Sequence, residues 1–250
     1  MLSFWVALLL IIVVGVIAGA IASVAGFGVG SLLTPLLALQ LDLKLAVAVV
    51  SIPHLIATGL RYGMLYKHTD KRVLLNFGLT SAAGGLTGAY LGTFLDSPAL
   101  TAVLGTLLVF AGVSGLIGLT ERMRFRGWGA QVVGAVSGMF GGLVGNQGGI
   151  RSAALLGFEL PKQAFVATAT AVGLLVDGAR MPVYLFTQYQ EIAVAWPYVV
   201  AATVGTVVGT LVGQPVLRRI PDATFRHVVS AIVLALGIAT LIGAARALGS

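Results

Sequence analysis

The sequence predicts an all-α integral membrane protein made of two inverted repeats, each a helical hairpin of short or broken helices followed by three transmembrane helices. Three observations carry that reading. The 250 residues are 58% hydrophobic and only 9% charged, against about a quarter charged in soluble domains. So few charges could not cover a water-facing surface. Apolar runs of some twenty residues recur along the chain, each matching the roughly 30 Å hydrocarbon layer. Two shorter runs follow glycine-rich breaks at matching places in the two halves.

Taken in order, the first half offers Ser3–Ala25, a glycine-rich break, the short run Ser31–Leu41, and then Leu43–Leu65, Val73–Leu95 and Ala99–Thr120. The second half offers Trp128–Val144, another glycine-rich break, the short run Ile150–Leu160, and then Gln163–Phe186, Trp196–Leu217 and Phe225–Ala245. The repeats therefore occupy residues 1–120 and 128–250, joined by a basic loop at 121–127. The short runs cannot span alone. Glycine-rich backbone at that depth is tolerated only where protein buries it or it lines a cavity. Each break reads as the tip of a hairpin reaching toward the bilayer centre. Leu2–Val14 lacks a basic leader, so it is expected to stay in the mature chain.

Orientation follows from the basic loops. Lys67, Lys71 and Arg72 share one, Arg122, Arg124 and Arg126 a second, and Arg218, Arg219 and Arg226 a third, whereas the intervening loops hold Asp96 and Glu191. With each hairpin returning to its own side, all three basic loops fall on one face, which the positive-inside rule makes cytoplasmic. Both termini then lie on the opposite face of a plasma or inner membrane, with Lys44 and Arg246 as exceptions. The net charge of +7 belongs to this loop anchoring and not to nucleic-acid binding.

The halves overlay over a long stretch. Gly26 meets Gly145, a shift of 119 residues, and the same shift pairs Gly15 with Gly134, Gly19 with Gly138, Gly30 with Gly149 and Arg61 with Arg180. One hairpin plus three spans crosses the membrane an odd number of times, so the halves must insert with opposite orientation. Inverted repeats with interrupted helices are a pattern of secondary transporters, and alternating access around a midplane site is expected from one repeat moving against the other. The four-residue spacing of Gly84, Gly88 and Gly92, and of Gly205, Gly209 and Gly213, reads first as close helix packing and second as a sliding surface.

Each break precedes a short helix, whose first N–H groups and positive dipole end face the interior. An anion cradle built twice is expected from Gly28, Gly30 and Ser31 on one side and Asn146, Gln147, Gly149, Arg151 and Ser152 on the other. Arg151 stands amid apolar neighbours, where a charge is costly and usually functional. It could meet the anion directly or pair with Asp177, the one acid within the second half's spans. Arg61 and Arg180 either snorkel to headgroups or form cationic vestibules on the pathway. Hydroxyls from Thr34, Ser51, Thr168 and Thr170 could complete an oxyanion shell or simply bond to their own helices. His54 is either a proton relay or a satisfied helical histidine.

The absence of cysteine removes thiolate sites, and the three histidines have no metal-ligand spacing. No nucleophile–base–orienter set appears, so no catalytic residue, cofactor or metal is expected. The expected partners are a small anionic substrate, the lipid bilayer, and protons or sodium ions as candidate coupling ions. The oligomeric state, a homodimer included, is left open.

The run Gly19-Ala20-Ile21-Ala22-Ser23-Val24-Ala25-Gly26-Phe27-Gly28-Val29-Gly30, ending in Thr34-Pro35-Leu36-Leu37, resembles the TauE/SafE family of membrane permeases. So does Gly138-Met139-Phe140-Gly141-Gly142-Leu143-Val144-Gly145-Asn146-Gln147-Gly148-Gly149. The resemblance covers nearly the whole chain. It implies transport, often outward, of sulfite, a sulfonate such as sulfoacetate, or a related organic acid. The rival readings are an anion channel with the same cradle and a membrane scaffold.

Overall fold

A computed structural model describes residues 3–119, 125, 127–217 and 222–248. The loop arginines Arg122, Arg124, Arg126, Arg218 and Arg219, with most of the loop at 121–127, lie outside the described residues. Helix α1 (Phe4–Ala25) starts on the Ser3 hydroxyl, which accepts from the Val6 N–H, and stops at Gly26 in the left-handed region (φ 77). The chain reverses through Phe27 and Gly28 (φ 137) into the nine-residue α2 (Val29–Leu37). Asp42 caps α3 (Leu43–Leu65), and a 3-10 turn at Tyr66–His68 follows. Next come α4 (Lys71–Val73), a π turn at Leu74–Gly78 and α5 (Leu79–Gly92). Asp96 caps α6 (Ser97–Leu116).

The second half repeats the plan. Helix α7 (Trp128–Val144) stops at Gly145, again left-handed (φ 70). Asn146 and Gln147 lead into the nine-residue α8 (Gly148–Leu156). The long α9 (Lys162–Val194) carries one non-helical residue, Gln188, near its end, and α10 (Trp196–Leu217) and α11 (Asp222–Leu248) complete the chain. Both short helices begin earlier and stop earlier than the apolar runs suggested, because a single left-handed glycine ends the preceding helix and makes the reversal tight.

This is an all-helical, multi-pass membrane protein. Helices α1, α6, α9, α10 and α11, together with the stretch Leu43–His68, are each long and apolar enough to cross a bilayer. The expected span Val73–Leu95 is instead a rod of three pieces, since the π turn interrupts the α-helical pattern before α5. π turns insert one residue into a helix and often mark functional positions.

Packing crosses between the halves. Helix α1 lies along α10, α5 along α7 and α6 along α11, and α3 crosses α9. The first two seams are made of glycine against backbone. A Cβ on Gly209 would collide with the Val16 carbonyl oxygen, and one on Gly213 with Ala20. Gly88 abuts the Met139 carbonyl oxygen in the same way, and Gly142 that of Gly85. The rising residue numbers on both sides mean that α1 runs parallel to α10 and α5 parallel to α7. By contrast α6 and α11, the fourth long helices of the two halves, run antiparallel: Gly105 sits on Leu241 and Gly112 on Leu234.

Gly88→Val or Gly209→Val should force these backbones apart and cost at least about 1–3 kcal/mol, read as a lower unfolding temperature of the detergent-solubilised protein. Gly92→Ala is the control, because its Cβ would approach Leu143 only to 3.8 Å. Equal stability of all three variants would contradict the seams.

Candidate functional site

The two glycine turns touch. A Cβ on Gly148 would strike the Phe27 side chain, and one on Gly30 the Gly145 carbonyl oxygen. Ser31 Oγ donates to Asn146 Oδ1 at 3.1 Å, and Ser137 Oγ donates to the Gln147 carbonyl at 3.1 Å. Both turns are buried, Asn146 and Gln147 included. The first internal bonds of the short helices run from Leu32 N to Gly28 O and from Arg151 N to Gln147 O. The N–H groups ahead of them belong to the first helical turn, which has no acceptor within its own helix.

Around the turns lie three buried guanidiniums and one buried carboxylate. Arg151 Nη2 donates to the Gly26 carbonyl at 2.9 Å, linking the second short helix to the end of α1. Arg180 donates from Nε and Nη2 to Asp177 Oδ1 at 3.1 and 2.8 Å, and from Nη1 to the Gly141 carbonyl. Tyr184 OH donates to the neighbouring Gly142 carbonyl. Asp177 Oδ2 is hydrogen-bonded to His54 Nδ1. Arg61 Nε donates to Thr170 Oγ1 at 3.0 Å. Asp177 thus joins its own helix to the middle of α3, and Arg180 and Tyr184 hold the carbonyl end of α7.

These groups form a line. On α9 the positions Val166, Thr170, Gly173, Asp177, Arg180 and Tyr184 recur every three or four residues, so they share one face. At the Lys162 end this face enters a cavity of about 400 Å³ lined by Phe27, Ser31, Gly149, Ser152 and Arg226. At the Gln188 end it borders a pocket of about 160 Å³ lined by Lys44, Tyr184 and Thr187. A cavity of about 420 Å³ between α2, α6 and α11 opens beside Asp42 and does not reach the turns.

Several sequence expectations land differently. Asp177 pairs with His54 and Arg180, not with Arg151, and the i,i+3 spacing of 177 and 180 was the available signal. The snorkelling option for Arg61 and Arg180 does not fit, since each is 2% exposed and turned inward. Gly30 is a contact between turns rather than an open cradle wall. Ser31, Gly149 and Ser152 face the large cavity, whereas Arg151 points to the other side of α8, toward α9. Gly28, with its positive φ, makes the reversal. Ser51 bonds back to the Ala48 carbonyl, and Thr168 accepts from the Asp70 N–H. Tyr184 and Gly173 went unnoticed because one reads as an ordinary aromatic and the other as one glycine among 34.

The sequence profile described as Sulfite exporter TauE/SafE matches residues 11–240. The chain belongs to this family. No curated protein and no solved structure matches it. TauE/SafE proteins are membrane permeases, and this TauE/SafE chain carries its buried charges where its two hairpins meet.

Asp177→Asn should leave Arg180 buried without a charge partner and destabilise the fold by about 3–5 kcal/mol. Thermal unfolding in nanodiscs measures this, and unchanged stability would mean that the carboxylate is dispensable.

Proposed function

We propose that this protein is a secondary transporter that exports a small anion such as sulfite, a sulfonate or a related organic acid, and that it catalyses no reaction on its substrate. The observation that carries the reading is the pair of glycine turns abutting inside the protein, with Arg151 between them keeping Nε and Nη1 buried and unpaired. A guanidinium there has donors to spare and no carboxylate of its own. Oxyanions are the natural acceptors for such a group. The expected first contact is Arg151, with Gln147 of the same turn beside it, while Ser31, Gly149 and Ser152 line the cavity through which the anion arrives and Asn146 holds Ser31 in place.

The antiparallel α6–α11 contact supports opposed insertion of the repeats, and hence a site near mid-membrane. His54 and Asp177 sit at the middle of α3 and α9, a pair able to hold or pass a proton. A proton is therefore the preferred coupling ion. The basic loops face the cytoplasm of the cell membrane in this reading, so the cavity beside Lys162 and Arg226 is the cytoplasmic vestibule. It reaches the turns, while the cavity near Asp42 stops short of them. One open side and one closed side suit a carrier better than a channel.

The bodies that move are not the two sequence halves. Sliding one half against the other would tear the glycine seams of α1 with α10 and α5 with α7. Helices α6 and α11 pack extensively on each other but only sparsely on the rest, and cavities flank the pair toward both ends. Alternating access then comes from this pair tilting against the remaining helices.

Proteoliposomes holding the purified protein should take up or release sulfite or sulfoacetate saturably, and an imposed proton gradient should drive accumulation. Arg151→Gln should insert normally and reduce the flux at least about tenfold, the scale of one lost charge-assisted hydrogen bond. Unaltered flux in that variant would take Arg151 out of the site.

A further inference from the structure

Six titratable side chains are buried together: His54, Arg61, Arg151, Asp177, Arg180 and Tyr184. With His54 neutral, three guanidiniums face one carboxylate, and protonating His54 only enlarges the excess. Arg180 takes up the carboxylate by donating two of its N–H groups to Asp177 Oδ1. Among the described residues neither Arg61 nor Arg151 has a carboxylate partner. Arg61 Nη1, Arg151 Nε and Arg151 Nη1 are all buried and unpaired.

Both guanidiniums address one spot on α9. Arg61 Nε is anchored on Thr170 Oγ1. Arg151 Nη1 lies over Gly173, so near that a Cβ there would come within 2.8 Å of it. Thr170 and Gly173 are one turn apart on the same face, and Thr58 of α3 borders the same glycine. Like charges facing each other in a low-dielectric interior repel, and buried charges without counter-ions are costly. An ion of two negative charges between them would relieve both penalties and fill the idle donors. Val166, one turn before Thr170, already lines the large cavity, so the spot adjoins a route of entry.

We infer that Arg61 and Arg151, steadied by Thr170 and given room by Gly173, form a two-armed site for a doubly charged oxyanion that discriminates against singly charged ones. This rests on the anion-carrier reading and specifies the charge its substrate bears. Two ligand shapes share that chemistry: a compact dianion such as sulfite, and a short molecule bearing a sulfonate and a carboxylate, such as sulfoacetate.

The test is a thermal-shift titration of the full chain in nanodiscs, under alkaline conditions where sulfite is a dianion, with sulfite, sulfoacetate and the monoanion methanesulfonate. At least one dianion should bind about tenfold or more tightly than methanesulfonate. Which of the two does so tells the compact ligand from the longer one. Arg61→Gln should weaken the dianion by about tenfold to a hundredfold and leave methanesulfonate almost unchanged, and Arg61→Lys should recover part of the loss. Should Arg61→Gln not fold, Thr170→Val should show the same loss of preference in milder form. Equal binding of mono- and dianions by the unsubstituted protein, or an Arg61→Gln effect equal on both, would overturn the assignment. If none of the three anions binds, the anion-carrier reading itself falls, and this assignment falls with it.

Discussion

Among the described residues Asp177 is the one buried carboxylate, and the interior is arranged around it. It takes one bond from a helix of the first half through His54 and two from its own helix through Arg180. Arg180 in turn holds the carbonyl end of α7, just before the turn that carries Asn146 and Gln147. A chain of polar contacts therefore runs from the middle of α3, across α9, to the tip of the second hairpin. Partially satisfied polar groups are expensive in such surroundings, so the placement of each member constrains the next. The first hairpin is tied in differently, by Arg151 reaching the Gly26 carbonyl.

The glycine seams set the complementary constraint. Without a hydrophobic drive between helices in lipid, association relies on close packing, and here backbone lies against backbone along α1–α10 and α5–α7. Each seam joins the first long helix of one half to the third long element of the other. The sequence halves are thus interlocked. The pair α6 and α11 stands apart from that weave, and two of the cavities flank it.

Much of this was legible beforehand. Apolar run length located α1, α3, α7 and α10 to within a residue, because a bilayer imposes one length on anything that spans it. The breaks at Gly26 and Gly145 were marked by glycines in matched positions, and the structure adds that both glycines are left-handed. What a linear reading could not supply was direction of side chains. Arg151 and Ser152 are neighbours in sequence, yet Ser152 lines the cavity while Arg151 reaches the Gly26 carbonyl and lies over Gly173. The partnership of His54 with Asp177 joins residues 123 apart, and no local spacing announces it. The polar face of α9 was encoded at intervals of three and four. Its middle member is a glycine, and glycine offers no polarity to count.

The parallel seam between α1 and α10 has a consequence for biogenesis. The N-terminal helix enters the membrane long before the ribosome has made the strip of glycines it will lie against. Until α10 arrives, Gly15 and Gly19 present a bare groove to lipid, and the N-terminal segment must wait without its mate. The second seam closes earlier, once α7 follows α5. The seam that seats α1 therefore closes only once α10 has been made, and a nascent chain truncated ahead of Trp196 lacks the surface needed to seat that helix.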